Sequence, residues 1–208
     1  MTNLKLFRLN KNMDNISFQS RIRITNCDEF RRFAKKGFAQ VNYPWSIKET
    51  VYSQKARTDG IYDCTALGIT DGIKVLLFHI CPTVSKNQDF NKLETQITEK
   101  IINMMNLDYL QGFILGSKKY NINSPRSTEL FDMMEGLLKK LHIQYSKFKG
   151  GNYNNSIAYD STKDEWIIGS DFLNTISSPK ESLFETPQKA AKRIFDQVKI
   201  ADCDELTW

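Results

Sequence analysis

The 208-residue chain is long enough to bury one substantial core, and with 40% hydrophobic and 12% aromatic residues it describes a folded globule rather than a disordered segment. Its net charge of +5, from 29 Lys and Arg against 24 Asp and Glu, is mild and interspersed, which argues against a nucleic-acid binder. No apolar run approaches the length of a membrane span, and the opening "MTNLKLFRLNKNMD" lacks a secretory-signal pattern. Synthesis in a cytoplasm is therefore expected. Cysteines 27, 64, 81 and 203 show no paired metal-ligand spacing and are expected as free thiols.

Residues 1–50 read as an N-terminal appendage. "ISFQSRIRIT" alternates as a strand, and "CDEFRRFAKKGF" reads as a short helix capped by Asn26. Arg31, Arg32, Lys35 and Lys36 fall on one side of that helix, as a solvated face or, alternatively, a surface for an acidic partner. "VNYPWS" is a connector around Pro44. From residue 51 to 172 the pattern is denser and reads as the core. "CTALGIT" and "IKVLLFHI" are strands joined at Asp71-Gly72, a two-residue hairpin signal. "NKLETQITEKIINMM" is a helix that turns Leu93, Ile97, Ile101 and Met104 to one side, and "YLQGFILG" is the next strand. Ser124 caps a second helix that starts at Pro125 and buries Leu130, Met134, Leu137 and Leu141. "IQYSKF", "NSIAYD" and "EWIIG" are strands separated by Gly150-Gly151-Asn152 and Ser161-Thr162-Lys163. Residues 173–208 form a tail with one helix, capped by Thr186 with Pro187 at its start, that uses Ala190, Ala191, Ile194 and Val198. The fold class is α/β (α+β), with mostly antiparallel strands packed in layers against helices.

The hairpin brings two rare residues together. With Asp71-Gly72 as a two-residue turn, Thr70 faces Ile73, Gly68 faces Val75, Ala66 faces Leu77 and Cys64 faces His79. Opposite residues project to one side of a sheet, so a thiol and an imidazole become neighbours. The small Ala66 and Gly68 suit a packed face with little room. A neighbouring imidazole lowers a thiol's pKa and takes its proton, and a third group usually orients the ring. Thr58 has the parity to be that group, and Asp63 should point to the other face. Cys81 is a competing cysteine on the His79 face, expected opposite Tyr62. A metal held by Cys64, His79 and Cys81 lacks a fourth ligand at evident spacing. His142, closing "LLKKLH", is expected at a helix C-terminus.

"TDGIYDC" followed by "FHICP" resembles the chemoreceptor glutamine deamidases (the CheD family), whose motif is Thr-x-Gly, three residues and a nucleophilic Cys, with a later strand ending in His. "LQGFILGSKKYN", "SPRSTELFDMMEGLLKKLHI" and "KGGNYNNSIAYDSTKDEWIIG" are similar, in order, to the family's next strand and turn, second helix and closing hairpin. The resemblance spans roughly residues 55–170. Certain bacterial toxins that deamidate a glutamine in host GTPases share this architecture and a Cys–His pair.

The resemblance implies a layered α/β/β sandwich and hydrolysis of a protein glutamine side chain, without cofactor or metal. It makes Cys64 the nucleophile, His79 the base and then acid, and Thr58 the residue that holds His79. Backbone N–H groups around Cys64 would stabilise the oxyanion. Tyr62 and Asp63 stand where the family has Gly-Ser, and "SPRS" keeps only Arg126 of a Gly-x-Arg-Asn element, so these three are expected substrate contacts. The implied partner is a protein carrying the target glutamine, in the bacterial cytoplasm or, after export without a conventional signal, in a host cell. A transglutaminase results if an amine rather than water resolves the acyl-enzyme. The other reading is a catalytically inactive binding module of the same scaffold.

Overall fold

The computed structural model describes residues 20–42, 50–82, 90–116, 125–149, 153–171 and 199–201. The strands are β1 (Arg21–Asn26), β2 (Ala39–Gln40), β3 (Val51–Ser53), β4 (Lys55–Ile61), β5 (Thr65–Thr70), β6 (Val75–Ile80), β7 (Gln111–Gly116), β8 (Gln144–Lys149), β9 (Asn155–Asp160), β10 (Glu165–Ser170) and β11 (Lys199–Ala201). The helices are α1 (Cys27–Phe33), α2 (Phe90–Met104) and α3 (Pro125–Lys140). The strands form a five-stranded sheet, ordered β1-β10-β9-β4-β2, and a six-stranded sheet, ordered β11-β8-β7-β5-β6-β3. Most pairings are antiparallel, while β1–β10, β2–β4 and β7–β8 are parallel. The fold is mixed α+β.

Strand alternation sorts the side chains into layers. Ala66, Leu77, Phe113 and Leu115 of the six-stranded sheet meet Ala56, Ile157, Tyr159 and Trp166 of the five-stranded one. On the opposite face of the six-stranded sheet, Leu67, Ile69, Leu76 and Phe78 pack on Leu93, Ile97 and Ile101 of α2 and on Leu130, Phe131 and Met134 of α3. Between the sheets, the indole of Trp166 lies over Gly68, where an added Cβ would come within 2.4 Å of the ring. The small residue makes room for the largest one.

The segment expected as an appendage is laid into this architecture over its described part. β1 runs parallel to β10 and β2 parallel to β4. Asn26 caps α1 by accepting the Glu29 N–H at 2.8 Å, and Phe30 and Ala34 close over Ala158 and Ile167 as a fourth layer. The helix ends at Phe33, so Lys35 and Lys36 lie in the exposed turn beyond it rather than on the expected helix face. Met104 also departs from expectation: four-residue steps from Leu93 through Ile97 and Ile101 carry burial to Met105, and Met104 is exposed. Pro44, Ser124, the Gly150-Gly151-Asn152 turn and the helix expected after Thr186 lie outside the described residues. Within 173–208 only the short β11 is described, antiparallel to β8. Among the described residues no helix is long and apolar enough to cross a membrane.

Candidate active site

The β5–β6 connection corrects the expected register. Its loop has four residues, Asp71 to Lys74, because Thr70 pairs with Val75. The Asp71 carboxylate accepts the N–H groups of Ile73 (3.0 Å) and Lys74 (2.8 Å). The Thr70 hydroxyl accepts the Gly72 N–H (3.0 Å) and donates to the Lys74 carbonyl (2.8 Å). These side chains satisfy the amides of the longer loop, and a two-residue turn offers them no such partners. His79 therefore faces Ala66, and Thr65 faces Ile80. One step further, the register sets Cys64 against Cys81, not Cys81 against Tyr62.

A shift of two residues leaves every side chain on its original face. Cys64 and His79 still project into the space between the sheets, now as diagonal neighbours. Diagonal pairs have Cα atoms about 7–8 Å apart, a gap that an aromatic side chain can span. Cys64 and His79 are both buried, at 3% and 2% exposure.

Thr58 reaches His79 from the facing sheet, not along the sheet that carries Cys64. β4 pairs regularly with β9 through Thr58–Ile157 and resumes at Ile61–Asn155, so Asp59 and Gly60 together oppose Ser156. This bulge, with Gly60 at φ 77°, turns both Thr58 and Ile61 inward. The Thr58 Oγ1 lies 2.7 Å from His79 Nδ1 and 3.1 Å from the Val41 carbonyl. A carbonyl only accepts, so the single hydroxyl proton goes to Val41. The Nδ1–H then donates to Thr58, which leaves the basic lone pair on Nε2. Burial pushes the imidazole pKa down to about 4, so the ring is neutral at neutral pH.

The backbone at Cys64 is gripped from two sides. Ser127, in the first turn of α3, donates its hydroxyl to the Asp63 carbonyl. Gly116, at the end of β7, packs on the Cys64 carbonyl so closely that a Cβ there would come within 2.5 Å of the oxygen. The first contact ties the start of α3 to the residue preceding Cys64. Tyr62 is 40% exposed and Asp63 half-buried, and both immediately precede Cys64 in the chain. Arg126 is the second residue of α3, and its side chain lies outside the described residues.

Val41, Ser127 and Gly116 were missed by sequence reasoning. Only the polar Ser127 of "SPRS" carried a signal. Among the described residues, no three His, Cys, Asp or Glu side chains gather as a metal-ligand set, Cys64, His79 and Cys81 included. A cleft of about 470 Å³ opens at the other end of the six-stranded sheet, among Thr70, Asp71, Tyr109, Gln111, His142 and Gln144. It lies a full strand length from Cys64 and holds none of the predicted site residues. The chain matches no known family model and no curated protein.

Proposed function

We propose that the chain is a cysteine-dependent protein-glutamine deamidase with a CheD-like layered core. The observation that carries this reading is the Val41–Thr58–His79 chain of hydrogen bonds. It directs the lone pair of a neutral imidazole away from Thr58 on the sheet face that Cys64 shares. In the reaction, Nε2 takes the Cys64 proton as Sγ attacks the carboxamide carbon of a protein glutamine. The tetrahedral oxyanion collapses to a thioester as His79 returns the proton to the departing nitrogen, and ammonia leaves. Water then attacks the thioester and gives up its proton to His79. Glutamate and the Cys64 thiol are the products.

The neutral ring makes His79 a general base over the whole physiological range. Activity is expected to rise with pH as His79 loses its proton near pH 4, and then to stay level through pH 7. Tyr62, Asp63 and Arg126 are the substrate contacts in this reading, and the substrate is a protein carrying the target glutamine.

The test is the rate of Cys64 alkylation by iodoacetamide against pH, in wild type and His79→Ala, with Cys81→Ala as the control for site. Labelling at pH 6.5, well below the ordinary thiol pKa of about 8.5, with at least a tenfold loss in His79→Ala, is the expected result. Slow labelling that ignores His79 and tracks an ordinary thiol would overturn the proposal. The scaffold would then be a binding module presenting the exposed basic surface of Arg31, Arg32, Lys35 and Lys36.

A further inference from the structure

We infer that Cys64 and Cys81 form a reversible oxidative modification site, a cross-strand pair that hydrogen peroxide converts to a disulfide. The ladder of β5 and β6 ends at Thr65–Ile80, and carrying its register one residue beyond both strand ends sets Cys64 opposite Cys81. Even-numbered Cys64 shares the face of Ala66 and Gly68, and Cys81 shares that of His79 and Leu77. Both belong to the same buried cluster between the sheets, at 3% and 6% exposure, and both are reduced thiols. Opposite residues of an antiparallel pair have Cα atoms about 4.5–5.5 Å apart. Disulfides span Cα separations of about 4.4–6.8 Å, a range that includes the spacing this register would give the pair. Cys27, the third described thiol, is held in a different setting, with its Sγ 3.8 Å from the Asn154 carbonyl.

The chemistry is a two-electron oxidation. The Cys64 proton passes to His79, and the sulfur attacks one peroxide oxygen. The O–O bond breaks, Cys64 becomes a sulfenic acid, and the other oxygen leaves as water with the proton from His79. The Cys81 sulfur then attacks the Cys64 sulfur, the S–O bond breaks, and the hydroxyl leaves as a second water with the Cys81 proton. One peroxide is reduced to two waters while two thiols become one disulfide, which an added dithiol restores. The pair thus protects Cys64 from irreversible over-oxidation. On the deamidase reading it also switches the nucleophile off, but disulfide formation itself does not depend on that reading.

Cleavage after Lys74 puts the two cysteines on different tryptic peptides, 58–74 and 75–86. The full chain is treated with one equivalent of hydrogen peroxide in the presence of dimedone, which traps sulfenic acids, then blocked with iodoacetamide and digested without reduction. The expected product in wild type is the linked pair of peptides, two hydrogens lighter than their sum and released by dithiothreitol. Cys81→Ser should instead carry dimedone on Cys64, with at least a tenfold gain over wild type. No linked peptide, together with equal dimedone labelling of wild type and Cys81→Ser, would show that the thiols cannot meet and would overturn the inference. A Cys64 that peroxide leaves unmodified in both proteins would overturn it as well. None of these readouts uses glutamine hydrolysis, so the inference and the proposed activity fail separately.

Discussion

The two histidines occupy opposite ends of the six-stranded sheet and show what a fold can do with the same side chain. His79 is buried, fixed by Thr58 from the facing sheet and kept neutral by desolvation. His142 is exposed, with a left-handed φ of 53°, just past the end of α3. There its N–H donates to the Lys139 carbonyl and the Ile143 N–H to the Leu138 carbonyl, the two bonds that close a helix with a Schellman turn. At one end the ring makes the contact that positions it; at the other the left-handed backbone closes the helix. On the proposed function, the chemistry belongs to the His79 end of the sheet, although the cleft lies at the other end.

Acid gives the largest expected contrast. His79 takes up its proton near pH 4 when folded and near 6.5 when unfolded, so between these values the unfolded chain binds more protons. Stability then falls as pH drops from 6.5 to 4, by about 3 kcal/mol if the full shift is expressed. Urea unfolding at pH 7 and 4.5 should show this loss in wild type and lose most of it in His79→Gln. An equal loss in both proteins would remove the distinction drawn for His79. Glu135 does not interfere. Its burial alone would raise its pKa, but hydrogen bonds from Lys147, Tyr145 and Lys139 outweigh that and hold it at about 2, so its own contribution fades only below about pH 4.5.

A smaller effect tests how tightly the two sheets are packed against each other. Gly68→Ala drives a methyl into the Trp166 indole, which is already wedged against Tyr159 and Phe113 with ring centroids 4.6 and 5.4 Å away. Overpacking of this kind costs about 1–3 kcal/mol. Thermal denaturation should report a lowered midpoint, and an unchanged midpoint would mean that the sheets can part at this level. His142→Gly should have the smallest effect and the opposite sign. Relief of the left-handed strain is worth up to about 1 kcal/mol of added stability, read by the same unfolding curves. A destabilised variant would show that the imidazole matters at this end too.

The parts of the molecule legible in the sequence are those settled by near neighbours. α2, α3 and the strands from β5 to β10 come from periodicity and turn residues, and the face shared by Cys64 and His79 comes from parity alone. The expected register is off by two because the amides of the loop are satisfied by Thr70 and Asp71 side chains, whose reach the Asp-Gly signal does not express. β1 beside β10, β2 beside β4 and the short β3 beside β6 are pairings between distant or weakly patterned segments. Thr58 was legible as the partner of His79 by its place before Cys64, but not as a residue of the opposite sheet. Nor does any local pattern announce that Val41 would take the Thr58 proton.

The strand order also sets the order of events during synthesis. β1 emerges first, yet its only partner among the described strands is β10, and the Ser20 hydroxyl meets Asp164 144 residues later. The six-stranded sheet is mostly assembled from neighbours, and its hairpin and both helices are made before β10, with only the short edge strand β11 following. The five-stranded sheet must wait for β9 and β10 to offer their edges. Such distant pairings fold slowly, since loop closure is unfavourable until the contacts form. Thr58 sits in the five-stranded sheet, which waits for β9 and β10, so a nascent chain can carry Cys64 and His79 on a formed hairpin while the ring still lacks its Thr58 hydrogen bond. On the proposed function, full activity arrives with the last core strands, after most of the chain has been made.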